Sequence, residues 1–384
     1  MLSATAVHAV SGMETALAAL ALLALLACAA HAVRGGGRTT RALGPLALLL
    51  ALARPEGALA GAGVIAAVAL ARPAALGTLL RGGLLAFALP LAALECVRLA
   101  WFGLPLPLPF YVKLAHPGLI PGAKVVGPWL ADHAWRLGPF VLLACMRPAR
   151  TLWPALAALG LLSAFFVLPQ HLMGYQHRYL APLDPVLAVL AGIGLDRARR
   201  MLHTTRLPRA AIAWGAPALV LLAGAGELTD ARVDVPERLA YAAGMAAAHL
   251  PLAHALAAVS PPGRLVLSDA GSIPYFTDWE TMDLVGLNDA RIARTHVRDP
   301  RAVMAFAPDV VVLVSAREGR FLPWDWNAYE TPILDAVTRA GFRRMAVRRF
   351  GNDYWLWVMA RPGTRFARAI AAMPPAGTPA PASR

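Results

Sequence analysis

A polytopic α-helical membrane domain followed by a soluble α/β domain is the fold class that this 384-residue sequence predicts, and three observations predict it. Uncharged apolar runs of bilayer length recur through the first 226 residues. Basic residues fall in short clusters between those runs. The remainder is nearly charge-balanced and sets short β-branched runs between helical stretches. Only 15% of residues are charged and 58% are hydrophobic. A soluble globular chain carries about 25% charge, so both a purely soluble protein and a disordered one are excluded.

The charge distribution decides what the formal net charge of +14 means. Residues 1–226 hold 18 Lys and Arg against six acids, whereas residues 227–384 hold 18 Arg against 16 acids. The excess thus belongs to the apolar half and sits between hydrophobic runs, as topology signals do. Nucleic acid is excluded as a partner on that ground. Membrane lipid is the partner that the pattern predicts.

In chain order, residues 15–33 form an uncharged run of 19, enough to cross a hydrocarbon core of about 30 Å at about 1.5 Å per residue. Its positive charge follows it, at Arg34, Arg38 and Arg41, opposite to a cleaved signal peptide. Further spans are expected at 82–101, about 128–146, 151–169, 179–195 and 210–226, which gives about six to eight membrane segments. Between the first two, the stretches 42–53 and 58–71 are each short and are interrupted by Arg54-Pro55-Glu56-Gly57. One continuous helix would bury Arg and Glu near mid-membrane at a cost of several kcal/mol. The positive-inside rule instead puts both ends of 42–71 on one side, as a short hairpin with its apex outward. The same parity places residues 11–15, the loops 102–127 and 170–178, and everything after 226 on the outer face.

The outer part reads as α/β: a helix over Asp234–Val259, buried strands at Arg264–Ser268 and Pro308–Ser315, a helix over Ile333–Ala340, and closing strands at Phe342–Arg349 and Tyr354–Ala360. This predicts a small, largely parallel sheet spanning 227–373, with a disordered Pro-rich tail at 374–384. The three cysteines lie in apolar runs and read as small buried side chains. His171 and His177 are six apart without a carboxylate partner, so no metal and no cofactor is expected.

Four segments carry residues suited to chemistry. Arg54 offers a planar fork of donors for a phosphate, and Glu56 can orient it or a sugar hydroxyl; the plain alternative is a turn in which the two pair. In Pro105-Leu-Pro-Leu-Pro-Phe-Tyr111-Val-Lys113, the prolines predict an extended backbone ending in a cation at headgroup level, or simply a stiff connector with a snorkelling Lys. His177, Arg178 and Tyr179 suit phosphate and sugar recognition, or an interfacial aromatic belt. Asp269, Tyr275, Asp283 and Asp289 follow strands, where α/β sheets bind ligands, although turns and caps use the same residue types.

Ser11-Gly-Met-Glu14-Thr-Ala16, Ala53-Arg-Pro-Glu-Gly57, Pro107-Leu-Pro-Phe-Tyr-Val-Lys113 and His177-Arg-Tyr-Leu-Ala-Pro182 together resemble, in order and spacing, the middle and later part of GT-C-type polytopic glycosyltransferases. The nearest branches are the protein O-mannosyltransferase-like and terminal arabinofuranosyltransferase-like ones. The segments Asp269–Tyr275 and Asp283–Asp289 resemble the C-terminal domain of the same proteins. The resemblance implies a plasma- or inner-membrane enzyme that transfers a sugar from a polyprenyl-phosphate donor to a cell-envelope glycan or protein on the outer face. It assigns the departing phosphate to a pool that includes Arg54, Lys113, His177 and Arg178; beside that pool, the residue types themselves offer Glu56, Tyr111 and Tyr179 for the donor and Asp269, Tyr275, Asp283 and Asp289 at strand ends for a glycan acceptor. It also expects a catalytic carboxylate in an outer loop that precedes any acid of this chain. The expectation is therefore an N-terminally incomplete member, the other readings being a degenerate member or a base role taken over by Glu14 or Glu56. A non-catalytic membrane scaffold with a glycan-binding outer domain is the competing function.

Overall fold

The computed structural model describes residues 14–114, 120–146, 148–169, 177–202, 232 and 235–374. The chain divides into two compact units, one of Met1–Leu106 with His116–Arg232 and one of Pro107–Ala115 with Val233–Arg384.

The first unit is helical. Helix α1 spans Thr15–Val33, α2 Gly37–Ala53, α3 Gly57–Ala71, α4 Pro73–Phe102, α6 Ala123–Arg136, α7 Gly138–Cys145, α8 Arg150–Val167 and α9 Asp184–Leu202; α5, Leu108–Leu114, belongs to the second unit. Its core gathers Leu22, Leu25, Leu43, Val64, Trp129, Leu162, Leu183 and Leu190, all nearly inaccessible. The remaining apolar surface is left outward: Leu20, Leu70, Leu80, Leu85 and Leu142 are each more than 60% exposed.

Helices α2 and α3 form the expected hairpin. Pro55 forces Arg54 into extended backbone (φ −151°, ψ 132°), which stops α2 at Ala53. A Cβ at Gly57 would collide with the Leu50 carbonyl, and one at Gly61 would lie 2.8 Å from the Ala47 side chain. As the chain advances from Gly57 to Gly61 its partner recedes from Leu50 to Ala47, so the two helices run antiparallel in close contact.

Among the described residues, four helices are long and apolar enough to cross a membrane: α1, α4, α8 and α10, Val235–Ala257. The count is lower than the six to eight expected. The run 128–146 is not one helix but two, because Gly138 and Pro139 break it after Leu137: Pro139 has no N–H to continue the ladder. Asp184 starts α9 later than the 179–195 run, and α9 carries Arg197, Arg199 and Arg200 at its end. The expected span at 210–226 and the tail from 375 lie outside the described residues.

The second unit is a five-stranded sheet with helices. Strand β1 spans Arg264–Leu267, β2 Glu280–Asp283, β3 Val310–Ser315, β4 Arg343–Gly351 and β5 Tyr354–Ala360; α11 covers Ser272–Phe276, α12 Ala290–Thr295, α13 Pro300–Ala305, α14 Glu330–Arg339 and α15 Arg365–Ala371. The order is β2-β1-β3-β5-β4, with β1 parallel to β2 and β3, and the β4–β5 hairpin antiparallel on the far edge. The sheet is therefore mixed rather than largely parallel. Its faces are buried on both sides, by Leu252, Leu256 and Phe366 on one and by Ile333, Val337 and Phe342 on the other. The C-terminal half of α10 is thus a core helix of this unit, whatever its apolar length permits.

Segment 107–113 departs from expectation: Leu108–Leu114 is helical, and α5 packs against α12. Pro109 is tolerated because it falls in the first turn, where its missing N–H has no partner to lose. Of the cysteines, Cys28 and Cys145 are half-buried, but Cys96 is exposed.

Candidate functional site

In the first unit, residues far apart in sequence meet around one aromatic ring. Arg54, 4% exposed, closes α2; its Nε lies 2.5 Å from Glu56 Oε1 across the hairpin apex, and its NH1 donates to the Arg178 carbonyl at 3.1 Å. Arg178 NH2 donates to Glu14 Oε1 at 3.0 Å. Both guanidiniums lie against Tyr179, at 5.2 Å for Arg54 and 5.6 Å for Arg178, and Arg54 also lies 6.0 Å from the Phe166 ring. The negative faces of these rings and the two carboxylates offset the cost of taking two cations out of water. Local geometry makes this possible: His177 adopts the left-handed conformation (φ 51°), and its carbonyl accepts from Leu180 N at 2.7 Å in the turn that presents Arg178 and Tyr179. His177 itself is exposed there.

Glu14 and Glu56 are both engaged by arginine. Burial works against ionisation of Glu14, but the hydrogen bond from Arg178, a backbone hydrogen bond and the charges of Arg178 and Arg54 together outweigh it and hold the carboxyl below the usual carboxylate range. An ion-paired carboxylate of lowered pKa is a poor proton acceptor. Chemically, the cluster offers two guanidinium forks on an aromatic floor, each able to exchange its carboxylate for another anion.

A second buried polar group in this unit centres on Asp184, whose place between Pro182 and Pro185 suits a helix start or a local polar contact. Asp184 Oδ1 accepts from Trp129 Nε1 at 3.1 Å and lies 3.3 Å from His133 Nε2, while His133 Nδ1 lies 2.8 Å from the Trp129 carbonyl. The signal was present as Trp129 and His133, one turn apart on α6 and therefore on one face. Its role is to tie α6 to the start of α9.

In the second unit, Tyr111 and Lys113 are half-buried on α5. Beyond the C-terminal end of β1, Asp269 Oδ2 accepts from Tyr354 OH at 2.8 Å and lies 2.8 Å from His249 Nε2. Burial disfavours the carboxylate, yet His249 and Tyr354 prevail and keep the Asp269 pKa low. Asp283 and Asp289 are structural: Asp283 accepts from Val285 N and Asn288 N, each at 2.9 Å, and Asp289 caps α12 through Ile292 N. Tyr275 stands 82% exposed against Phe276. Glu330, which sequence reasoning passed over, is fully buried and accepts from Val314 N at 2.7 Å. Burial pushes its carboxyl up to about 7, with Ser268 and the Val314 N–H offsetting only part of the effect. Among the described residues, no group of three or more His, Cys, Asp or Glu has the arrangement of a metal site.

Residues 238–359 match a family described as a domain of unknown function (DUF8728). The matched stretch holds the whole sheet except Ala360, together with His249, Asp269, Glu330 and Tyr354. No curated protein and no solved structure matches the chain.

Proposed function

We propose that this chain is a membrane glycosyltransferase, or the C-terminal part of one, that moves a sugar from a polyprenyl-phosphate donor to a cell-envelope glycan or protein. In this reading it resides in the plasma or inner membrane, with the second unit on the outer face. The single observation that carries the proposal is the convergence of Glu14, Arg54, Glu56, Arg178 and Tyr179. Three short segments that share the GT-C resemblance lie far apart in sequence, and one site unites their charged residues.

The reaction breaks the bond between the anomeric carbon and the phosphate oxygen, and forms a bond from that carbon to the acceptor oxygen. The acceptor's hydroxyl proton passes to a carboxylate base, and the phosphate monoester departs with the electron pair. Arg54 and Arg178 stabilise that departing charge by forked, charge-assisted hydrogen bonds, releasing Glu56 and Glu14 as they do so. His177 adds a further cationic group to this cluster; Lys113 and Tyr111, expected beside it from the sequence, lie on α5 of the second unit. Because Glu14 and Glu56 act as counter-ions to the arginines, the base is assigned to neither.

The test is sugar transfer from a radiolabelled polyprenyl-phosphate donor to envelope acceptor in membranes holding the complete protein. Lys113→Ala and Arg178→Ala are each expected to abolish transfer while folded protein persists. Unchanged turnover in both overturns the proposal.

A further inference from the structure

Helix α10 changes character at a π-turn, Met245–His249. After that turn, Leu252, Ala253 and Leu256 are buried in the core of the second unit; before it, Val235, Leu239 and Tyr241 are each more than half exposed. Ala240, Ala242 and Ala243 are exposed as well, so the first half of α10 carries a largely apolar outer face. Its inner face lies on β4: Tyr241 meets the Phe350 ring edge-on at 5.1 Å, and a Cβ on Gly244 would collide with the Phe350 carbonyl. Arg238, half-buried, stands three residues before Tyr241 and shares that inner face.

Beside this helix lies a cation without a counter-charge. Arg348 sits on β4 directly opposite Leu356, a member of the core that α10 covers, so its side chain projects from the same face of the sheet. It is only 5% exposed, and its Nε is sealed from solvent with no hydrogen-bond partner. Burial pulls the guanidinium pKa down and no carboxylate opposes that effect; among the described residues, neither Glu237 on α10 nor Asp353 in the β4–β5 turn pairs with it. The neighbouring Arg349, on the other face, is satisfied by Asn352 Oδ1 at 2.7 Å and the Gly351 carbonyl at 3.2 Å. Because β4 is an edge strand, Arg348 lies at the rim of the unit rather than in its centre. A buried charge left unpaired is costly, and an anion with oxygens for the guanidinium fork removes the cost.

Two needs thus adjoin: a forked donor that lacks an anion, and an apolar helix face that lacks cover. An anionic phospholipid meets both in one molecule, its phosphate oxygens on the guanidinium and its acyl chains along Val235 and Leu239. A soluble phosphate meets only the first. We infer that Arg348, together with Arg238 and Tyr241 of α10, forms a binding site for the headgroup phosphate of an anionic membrane phospholipid, and that the first half of α10 seats the second unit on the bilayer. Tyr241 supplies an aromatic ring at headgroup level, where such rings concentrate. None of the residues assigned to the sugar donor takes part, so the site stands whether or not the chain transfers sugar.

The experiment uses the full chain, delipidated in detergent and titrated with palmitoyl-oleoyl phosphatidylglycerol, palmitoyl-oleoyl phosphatidylcholine or inorganic phosphate, read by native mass spectrometry and by thermal melting. Wild type should bind phosphatidylglycerol saturably, roughly tenfold or more tighter than phosphatidylcholine, and melt higher in its presence. Arg348→Met keeps the apolar stem, removes the charge and should abolish that preference; Arg348→Lys, a point charge without the fork, should fall between the two. Arg349→Gln should bind as wild type does. Without lipid, Arg348→Met should melt no lower than wild type, since it removes an uncompensated buried charge, whereas loss of a merely structural arginine would lower the melting temperature. Arg54→Gln and Arg178→Gln should retain the preference for phosphatidylglycerol, which separates this site from the donor site. An undiminished preference in Arg348→Met, or a preference lost in Arg54→Gln and Arg178→Gln instead, overturns the inference. Inorganic phosphate bound as tightly as phosphatidylglycerol overturns the assignment to lipid.

Discussion

Tyr179 lies between Arg54 and Arg178, its ring 5.2 Å from one guanidinium and 5.6 Å from the other. Each arginine has a carboxylate of its own, Glu56 and Glu14. The ring is therefore shared by two ion pairs that are also joined by the hydrogen bond from Arg54 to the Arg178 carbonyl.

Replacing Tyr179 with Leu keeps the volume apolar and removes the π face. Two cation–π contacts of about 0.5–2 kcal/mol each are lost, so the first unit should melt several degrees lower. Tyr179→Phe keeps the face and should melt above the Leu variant. Differential scanning fluorimetry in detergent checks both; equal melting of the Leu and Phe variants would remove the ring's role.

Asp184 is buried with Trp129 and His133 as its partners. Asp184→Leu strands the Trp129 N–H and should cost about 1–3 kcal/mol, the penalty for a buried donor left unpaired. Asp184→Asn retains an acceptor and should recover most of it. Thermal melting of the two variants side by side decides the matter.

Glu330 makes the stability of the second unit depend on pH. A glutamate ordinarily titrates near 4.5, and in the folded protein Glu330 does so at about 7, raised by burial. Between those values the folded state holds a proton that the unfolded state has released, so stability falls as pH rises through this window and levels off above it. Tryptophan fluorescence melts at pH 5 and pH 8 should show this fall in wild type. In Glu330→Gln the group no longer titrates, so the fall should shrink, with the gain over wild type greatest at pH 8.

The hairpin depends on close approach of its helices. Gly61→Leu puts a side chain where the Ala47 methyl sits. Overpacking of this kind costs about 1–3 kcal/mol or splays the pair. Cysteine cross-linking of α2 to α3 should lose efficiency in Gly61→Leu and keep it in Gly77→Leu, where a Cβ meets nothing within 4 Å.

What the sequence disclosed follows from how local each signal is. The hairpin was legible because Arg54-Pro55-Glu56-Gly57 combines a helix stop, charge and a small residue in four positions. Strands β1 and β3 announced themselves through unbroken β-branched runs, and β4 and β5 lie within a residue or two of their expected bounds. Strand β2, Glu280-Thr-Met-Asp283, did not: it is a four-residue edge strand with no run of β-branched residues to mark it. The run 128–146 was misread because its hydropathy masks the break at Gly138-Pro139. Arg54, Glu56, Arg178 and Tyr179 each stood out by residue type, yet which carboxylate meets which arginine depends on helix packing. Glu330 was silent because a glutamate at a helix start is ordinary, and only the packing of α14 on β3 buries it against the Val314 N–H.

The central claim is that Arg54 and Arg178 hold a lipid-linked phosphate, and its most direct measurement is binding of undecaprenyl phosphate to the full chain in nanodiscs by native mass spectrometry. Wild type should bind saturably, and Arg54→Gln and Arg178→Gln should each weaken binding by roughly tenfold or more, the value of one lost charge-assisted hydrogen bond. Undecaprenol, which lacks the phosphate, should bind alike to all three proteins. Equal affinity of wild type and both variants for the phosphate would contradict the account.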